Sequence, residues 1–268
     1  MPRLTGQKMW WGFVPRSAAP VWLGLYAAIL LAWFGMAMMA ADMPGYGLMR
    51  FTAPQIWQAL CLSAADAEPL ALFGMWAFMS VAMMLPTFVP AISTFQDLGA
   101  TGATDARSLS ALVVGYLGVW LAFSGIAALA QAGLAGVSLI GPDGASTSLA
   151  LTAVLLAGAG LYQFSALKEA CLSRCRAPLT FFMERWAPGP WAALRMGGQL
   201  GVHCLGCCWA LMLLGFVGGT MNLVWMGLAT VFMVMEKLPE IGRYLTRPAG
   251  WILLASACLT GVRAMGLI

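Results

Sequence analysis

Gly201-Val202-His203-Cys204-Leu205-Gly206-Cys207-Cys208-Trp209-Ala210-Leu211-Met212 sits inside an apolar run, residues 197–216, of the length that crosses a bilayer as a helix. Six consecutive positions of that run hold three thiols and the only histidine of the chain. At about 100° per residue, the side chains of His203, Cys204, Cys207 and Cys208 fall within an arc of roughly 140° and along roughly 7.5 Å of helix axis. One helix face is therefore expected to carry all four donors. Sulfur and imidazole together inside a bilayer point to soft-metal or redox chemistry.

With 61% of residues hydrophobic and 9% charged, and a mean hydropathy of +0.84, the chain has too little polar surface to cover a soluble globule. The expected fold class is all-α: a polytopic transmembrane helix bundle, one membrane domain over 1–268, with no room for a large soluble domain. Apolar runs at 21–41, 70–91, 109–134, 149–167, 197–216, 221–235 and 251–268 predict seven spans. The sixth run is short and the seventh contains Arg263, so six spans is the alternative.

Basic residues concentrate on the cytoplasmic side of membrane proteins because short basic loops resist translocation. An amino terminus inside places Arg3, Lys8, Arg16, Arg107, Lys168, Arg174, Arg176, Arg185, Arg195, Lys237, Arg243 and Arg247 in the cytoplasm, 12 of the 14 basic residues. Residues 1–20 then form a cytoplasmic segment, 42–69 an outer loop and 168–196 a basic cytoplasmic loop. The net charge of +4 reports this topology and calls for no nucleic-acid partner. The first apolar run reads as a retained anchor, being longer than a signal core and lacking a small-x-small cleavage site. In the outer loop, Thr52-Ala53-Pro54-Gln55 resembles a capping box, and Ile56, Trp57, Leu60, Cys61 and Ala64 would line one face of a short interfacial helix.

Gly197 and Gly201, at spacing four, allow close approach of a second helix just before the cysteines. Cys171 and Cys175 share the same spacing, so one helical face would hold both, and the flanking Lys168, Arg174 and Arg176 favour thiolate, the form that binds metal. Met75, Met79 and Met83 form a stripe along the second run; thioethers ligate Cu(I) without deprotonation, although methionine also serves as a flexible core filler. Glu236 is expected to pair with Lys237 at the interface. Cysteine-rich tetrahedral sites suit zinc, but two or three soft donors on one strip of helix inside a membrane favour Cu(I), because zinc would want a fourth ligand from elsewhere.

Several stretches together resemble the bacterial predicted metal-binding integral membrane proteins, a family catalogued as a domain of unknown function, some of whose members are called copper chaperones. They are residues 201–212, Gly219-Thr220-Met221-Asn222-Leu223-Val224-Trp225-Met226, Glu236-Lys237, the helix Trp76-Ala77-Phe78-Met79-Ser80-Val81-Ala82-Met83-Met84-Leu85-Pro86, and the segment from Lys168 to Pro178. The likeness spans roughly 70–240. It implies a bacterial inner-membrane protein with a metal site at His203, Cys204, Cys207 and Cys208. It also implies possible roles for Cys171 and Cys175, with Met79, Met83, Met212, Met221 and Met226 nearby.

The expected function is Cu(I) handling, delivery or sequestration, with the lipid bilayer and a metallochaperone or membrane cuproenzyme as partners. A soft cation would pass from the Cys171/Cys175 pair to the cluster in the fifth span and on to thioethers. Two alternatives stay open: a membrane thiol-disulfide oxidoreductase using Cys204-Leu205-Gly206-Cys207, and a non-catalytic structural or assembly subunit. No ATP-binding loop, phosphorylation-type aspartate motif or pair of intramembrane carboxylates supports a pump or hydrolase.

Overall fold

The computed structural model describes residues 19–41, 69–99, 105–220 and 222–266. The capping box and short helix expected at 52–64 lie outside the described residues, as do residues 1–18 and Met221. Ten helices form the described chain: α1 Ala19–Ala41, α2 Pro69–Gly99, α3 Ala106–Gly136, α4 Leu149–Tyr162, α5 Ala166–Arg176, α6 Pro178–Arg185, α7 Pro190–Leu213, α8 Gly215–Gly218, α9 Leu223–Lys237 and α10 Gly242–Ala264. No strand occurs among the described residues beyond one isolated bridge, Ile140 with Ser146.

Five helices are long and apolar enough to cross a membrane, and six if the bent pair α4 and α5 counts as one span. The architecture is thus all-helical and compatible with a multi-pass membrane protein. Two of the seven expected spans differ. The run 149–167 is broken: α4 and α5 meet at 63°, because Ser165 leaves the helical conformation and its hydroxyl accepts the Lys168 amide at 3.1 Å, starting a new helix inside the apolar run. The run 221–235 does form a helix, α9, but its 15 residues reach about 22 Å, short of a bilayer core of about 30 Å.

Local chemistry explains the other boundaries. Asp105 caps α3, its carboxylate accepting the Ser108 amide at 2.9 Å. Gly189, at φ +97 and ψ 161, holds a backbone conformation open only to glycine, and Pro190 follows at the first turn of α7. In α2 the helix continues past the apolar run through Pro86 and Pro90. Pro86 has no N–H for the Ala82 carbonyl, which instead accepts the Trp33 indole of α1 at 3.1 Å.

Helices α3 and α7 form the most extensive interface. Glycines make it possible: a Cβ on Gly197 would stand 2.0 Å from the Leu112 carbonyl oxygen, and one on Gly115 would stand 2.1 Å from that of Leu194. The expected close approach at Gly197 and Gly201 is therefore a contact with α3. A second pair, α4 with α10, packs where Gly160 meets Leu254 and Gly250 meets Phe164.

The long helices α2, α3 and α7 rise past the point where α9 stops. Lys237, the last residue of α9, lies beside Thr87 in the middle of α2 and Cys204 in the middle of α7. Arg176, the last residue of α5, bonds the Glu236 carbonyl, and α10 starts beside that same carbonyl at Gly242. This step in the bundle lies at the level of the cysteines.

Candidate metal centre

Cys204, Cys207 and Cys208 are buried on the inner face of α7 with their sulfurs all within 4.8 Å of one another. The helical spacing accounts for this: i, i+3 and i+4 lie on one face. Cys207 Sγ is 3.2 Å from Cys208 Sγ and donates to the Cys204 carbonyl at 3.1 Å. Three sulfurs each about 2.3 Å from one ion would stand about 4 Å apart, so small side-chain adjustments bring this trio around a single metal.

Side chains from five other helices surround the trio. Tyr116 of α3 places its hydroxyl 3.0 Å from Cys204 Sγ and donates to the Met84 carbonyl at 3.1 Å; its ring is stacked on Phe88, centroids 3.9 Å apart. Lys237 of α9 sets its ammonium 2.9 Å from Cys204 Sγ and 2.7 Å from Thr87 Oγ1 of α2. Lys168 of α5, 1% exposed, donates at 2.9 Å to the Cys207 carbonyl and at 2.9 Å to Glu236 Oε2. Tyr162 of α4 donates to the Gly206 carbonyl. These carbonyls use their second lone pairs for side-chain donors, which fixes the cysteine-bearing turn from outside the helix.

The fully buried Lys168–Glu236 pair corrects the expected Glu236–Lys237 pairing. Adjacent residues on a helix point about 100° apart, so Glu236 turns to α5 while Lys237 turns to the thiols. The sequence gives Tyr116 and Thr87 no role, and it reads Lys168 only as a neighbour of Cys171 and Cys175 and Lys237 only as the partner of Glu236. The pattern Glu236-Lys237 at the end of an apolar helix was the one available signal, and only the neighbours decide which charge faces the sulfurs.

The remaining candidates are distributed around this centre. His203 is not in the group of mutually close donors; it is half-buried, with its ring edge-on to Phe181 of α6, centroids 6.1 Å apart. Cys171 is buried against Gly206, where a Cβ would stand 2.5 Å from its sulfur. Cys175, half-buried one turn further along α5, interacts with Cys207. Met79, Met83, Met212 and Met226 are all buried in the core. The methyl groups of Met79 and Met226 converge on Gly215, seven positions and about 10 Å beyond Cys208.

Membrane-length apolar helices around three mutually close buried thiols, with a lysine ammonium beside one of them, present the donor set of a soft-metal site. Comparison gives the family: the chain belongs to the PpoB2 family, described as copper chaperone, whose model matches residues 73–260. No curated protein and no solved structure matches the chain. Family and cysteine cluster together support copper handling.

Proposed function

We propose that the protein is a multi-pass protein of the bacterial inner membrane, amino terminus in the cytoplasm, that takes up Cu(I) and passes it to a membrane cuproenzyme or another metallochaperone. The observation that carries this reading is the sulfur trio of Cys204, Cys207 and Cys208 inside the bundle, within 4.8 Å of one another. Cu(I) is satisfied by two or three soft donors, whereas a closed zinc site takes four ligands, and no fourth cysteine, histidine or carboxylate joins the trio among the described residues. Two thiolates, one Cu(I) and the Lys237 ammonium sum to zero charge, which suits a buried site.

Cys175 is the adjoining thiol through which the ion reaches the trio, with Cys171 behind it. Met212, on the same stripe of α7 as Cys204 and Cys208, continues the soft-donor face, and Met79, Met83 and Met226 take the thioether role beyond it, together with Met221, which lies outside the described residues. His203 serves as an outlying ligand rather than a member of the trio. A disulfide between Cys207 and Cys208 is disfavoured, because adjacent Cα atoms lie about 3.8 Å apart, below the roughly 4.4 Å at which disulfides begin.

Anaerobic purification with bound metal measured by mass spectrometry tests the proposal. Copper should be present stoichiometrically, should vanish when Cys204, Cys207 and Cys208 are changed to Ser, and should fall only in part in His203→Ala. Zinc in place of copper, or no metal in either protein, would overturn it.

A further inference from the structure

A cavity of about 620 Å³ opens at the step where α5 and α9 end and leads inward to the trio. Exposed Pro239 and Glu240 line its outer part, and Cys204, Tyr116 and Lys237 its inner part. Cys175 and, from the trio, Cys204 line the cavity, while Cys207 and Cys208 do not. The charged lining residues are Arg176, Lys237 and Glu240, so the cavity is net positive. Arg176 is held by the Glu236 carbonyl at 3.0 Å and Thr246 at 3.3 Å and pairs at 3.4 Å with the exposed Glu169 carboxylate, a long contact at the surface that leaves guanidinium N–H groups for a ligand. Lys237 spends two of its three N–H donors on Cys204 and Thr87.

We infer that this cavity is the docking site for a small anionic Cu(I) complex of two thiols, each of the size and charge of a tripeptide, and that Cys175 and Cys204 take the ion from it. The inference rests on the copper reading above and names what delivers the ion. Its volume lies within the roughly 300–1,000 Å³ of small-molecule sites. A folded carrier protein, which needs about 800 Å² of surface on each partner, cannot enter it. Arg176 and the remaining Lys237 donor meet carboxylates, and the two thiols meet the metal.

The transfer is ligand exchange without redox change. A Cu–S bond forms to Cys175 as one Cu–S bond to the carrier breaks, and the cysteine proton leaves on the departing carrier thiol. A second exchange at Cys204 releases the second carrier thiol. Copper remains Cu(I) throughout.

The test uses full-length protein in detergent, anaerobically, with Cu(I) supplied as its glutathione complex. Transfer should saturate with complex concentration and should be slowed by S-methylglutathione, which keeps the carboxylates but has no free thiol. It should fall at least tenfold in Thr94→Trp, which fills the cavity beside α2. Copper content reached after long equilibration with a Cu(I)–acetonitrile salt should stay near the unsubstituted value in that variant, because the trio is untouched. Transfer that is linear in concentration and indifferent to S-methylglutathione, or efficient transfer only from a copper-loaded carrier protein, would overturn the inference. Absence of copper from every source would instead strike the copper reading itself. The S-methylglutathione arm needs no substitution and so decides the matter even if Thr94→Trp does not fold.

Discussion

At Cys204 three kinds of group meet one sulfur: a phenol hydroxyl at 3.0 Å, an ammonium at 2.9 Å and the neighbouring thiols. A copper–thiolate centre in this interior carries negative charge, and Lys237 is the cation placed to offset it. A unit charge pair about 4 Å apart at an effective dielectric constant of about 20 is worth roughly 4 kcal/mol. Lys237→Met should therefore weaken Cu(I) binding by at least about tenfold, ~1.4 kcal/mol, in competition against a colour-forming Cu(I) chelator. Tyr116→Phe, which removes one hydrogen bond of about 1 kcal/mol, should weaken it only a few-fold. The Lys168–Glu236 pair makes a different prediction, about folding. Removing one partner of a buried pair leaves the other charge uncompensated at a cost of about 3–5 kcal/mol. Lys168→Met should lower the thermal midpoint in detergent well below that of the Lys168→Met/Glu236→Met double variant, in which no lone charge remains. Equal midpoints for the two would show that the pair does not hold this part of the bundle.

Among the elements, α7 carries the thiols but α3 sets where they sit. The backbones meet at Gly115 and Gly197, and Tyr116 follows directly from the first of these contacts. Gly197→Ala would put a methyl group 2.0 Å from the Leu112 oxygen, which only separation of the helices relieves. Overpacking of this kind costs about 1–3 kcal/mol, and the Tyr116–Cys204 contact should be lost with it. The measurement is thermal midpoint together with copper stoichiometry, both expected to fall. Gly158→Ala is the control: nothing lies within 4 Å of its Cβ position, so its midpoint should stay put or rise, by up to about 1 kcal/mol of helix propensity. The break after α4 belongs to the same scale. Hydropathy reads 149–167 as one run, whereas the Ser165 cap turns the chain by 63° and swings Lys168 and Cys171 onto α7.

For the whole molecule, the described contacts sort into two ends. The loop around Asp143 meets Gly219 and Phe216 at one end. Arg174, Arg176 and Glu240 lie toward the other, beyond the step formed by α5 and α9. In the proposed orientation, which the basic residues favour, the second end is the cytoplasmic one. Cysteines placed one at a time at Asp143 and Glu240, with Cys61, Cys175 and Cys258 replaced by Ser, should react with a membrane-impermeant maleimide from opposite sides. Asp143→Cys should label in intact spheroplasts and Glu240→Cys only in inverted vesicles. The reverse pattern would invert the topology and with it the direction of copper uptake through the cavity.

The helical, membrane-type character of the chain and the gathering of three sulfurs on one face followed from sequence alone, because composition and the spacing of positions 204, 207 and 208 are local properties that the helix repeat converts directly into geometry. Likeness to a metal-binding family was legible for the same reason, in contiguous stretches such as Gly201 to Met212. The charges around those sulfurs were not. Lys237 reaches Thr87 across 150 positions and Cys204 across 33, Lys168 reaches Glu236 across 68, and Tyr116 reaches Cys204 across 88. His203 turned to Phe181 rather than to the thiols. Which lysine meets the carboxylate and which meets the thiols, and where a half-length helix leaves room for a cavity, depend on how separate helices cross, and no local periodicity encodes that.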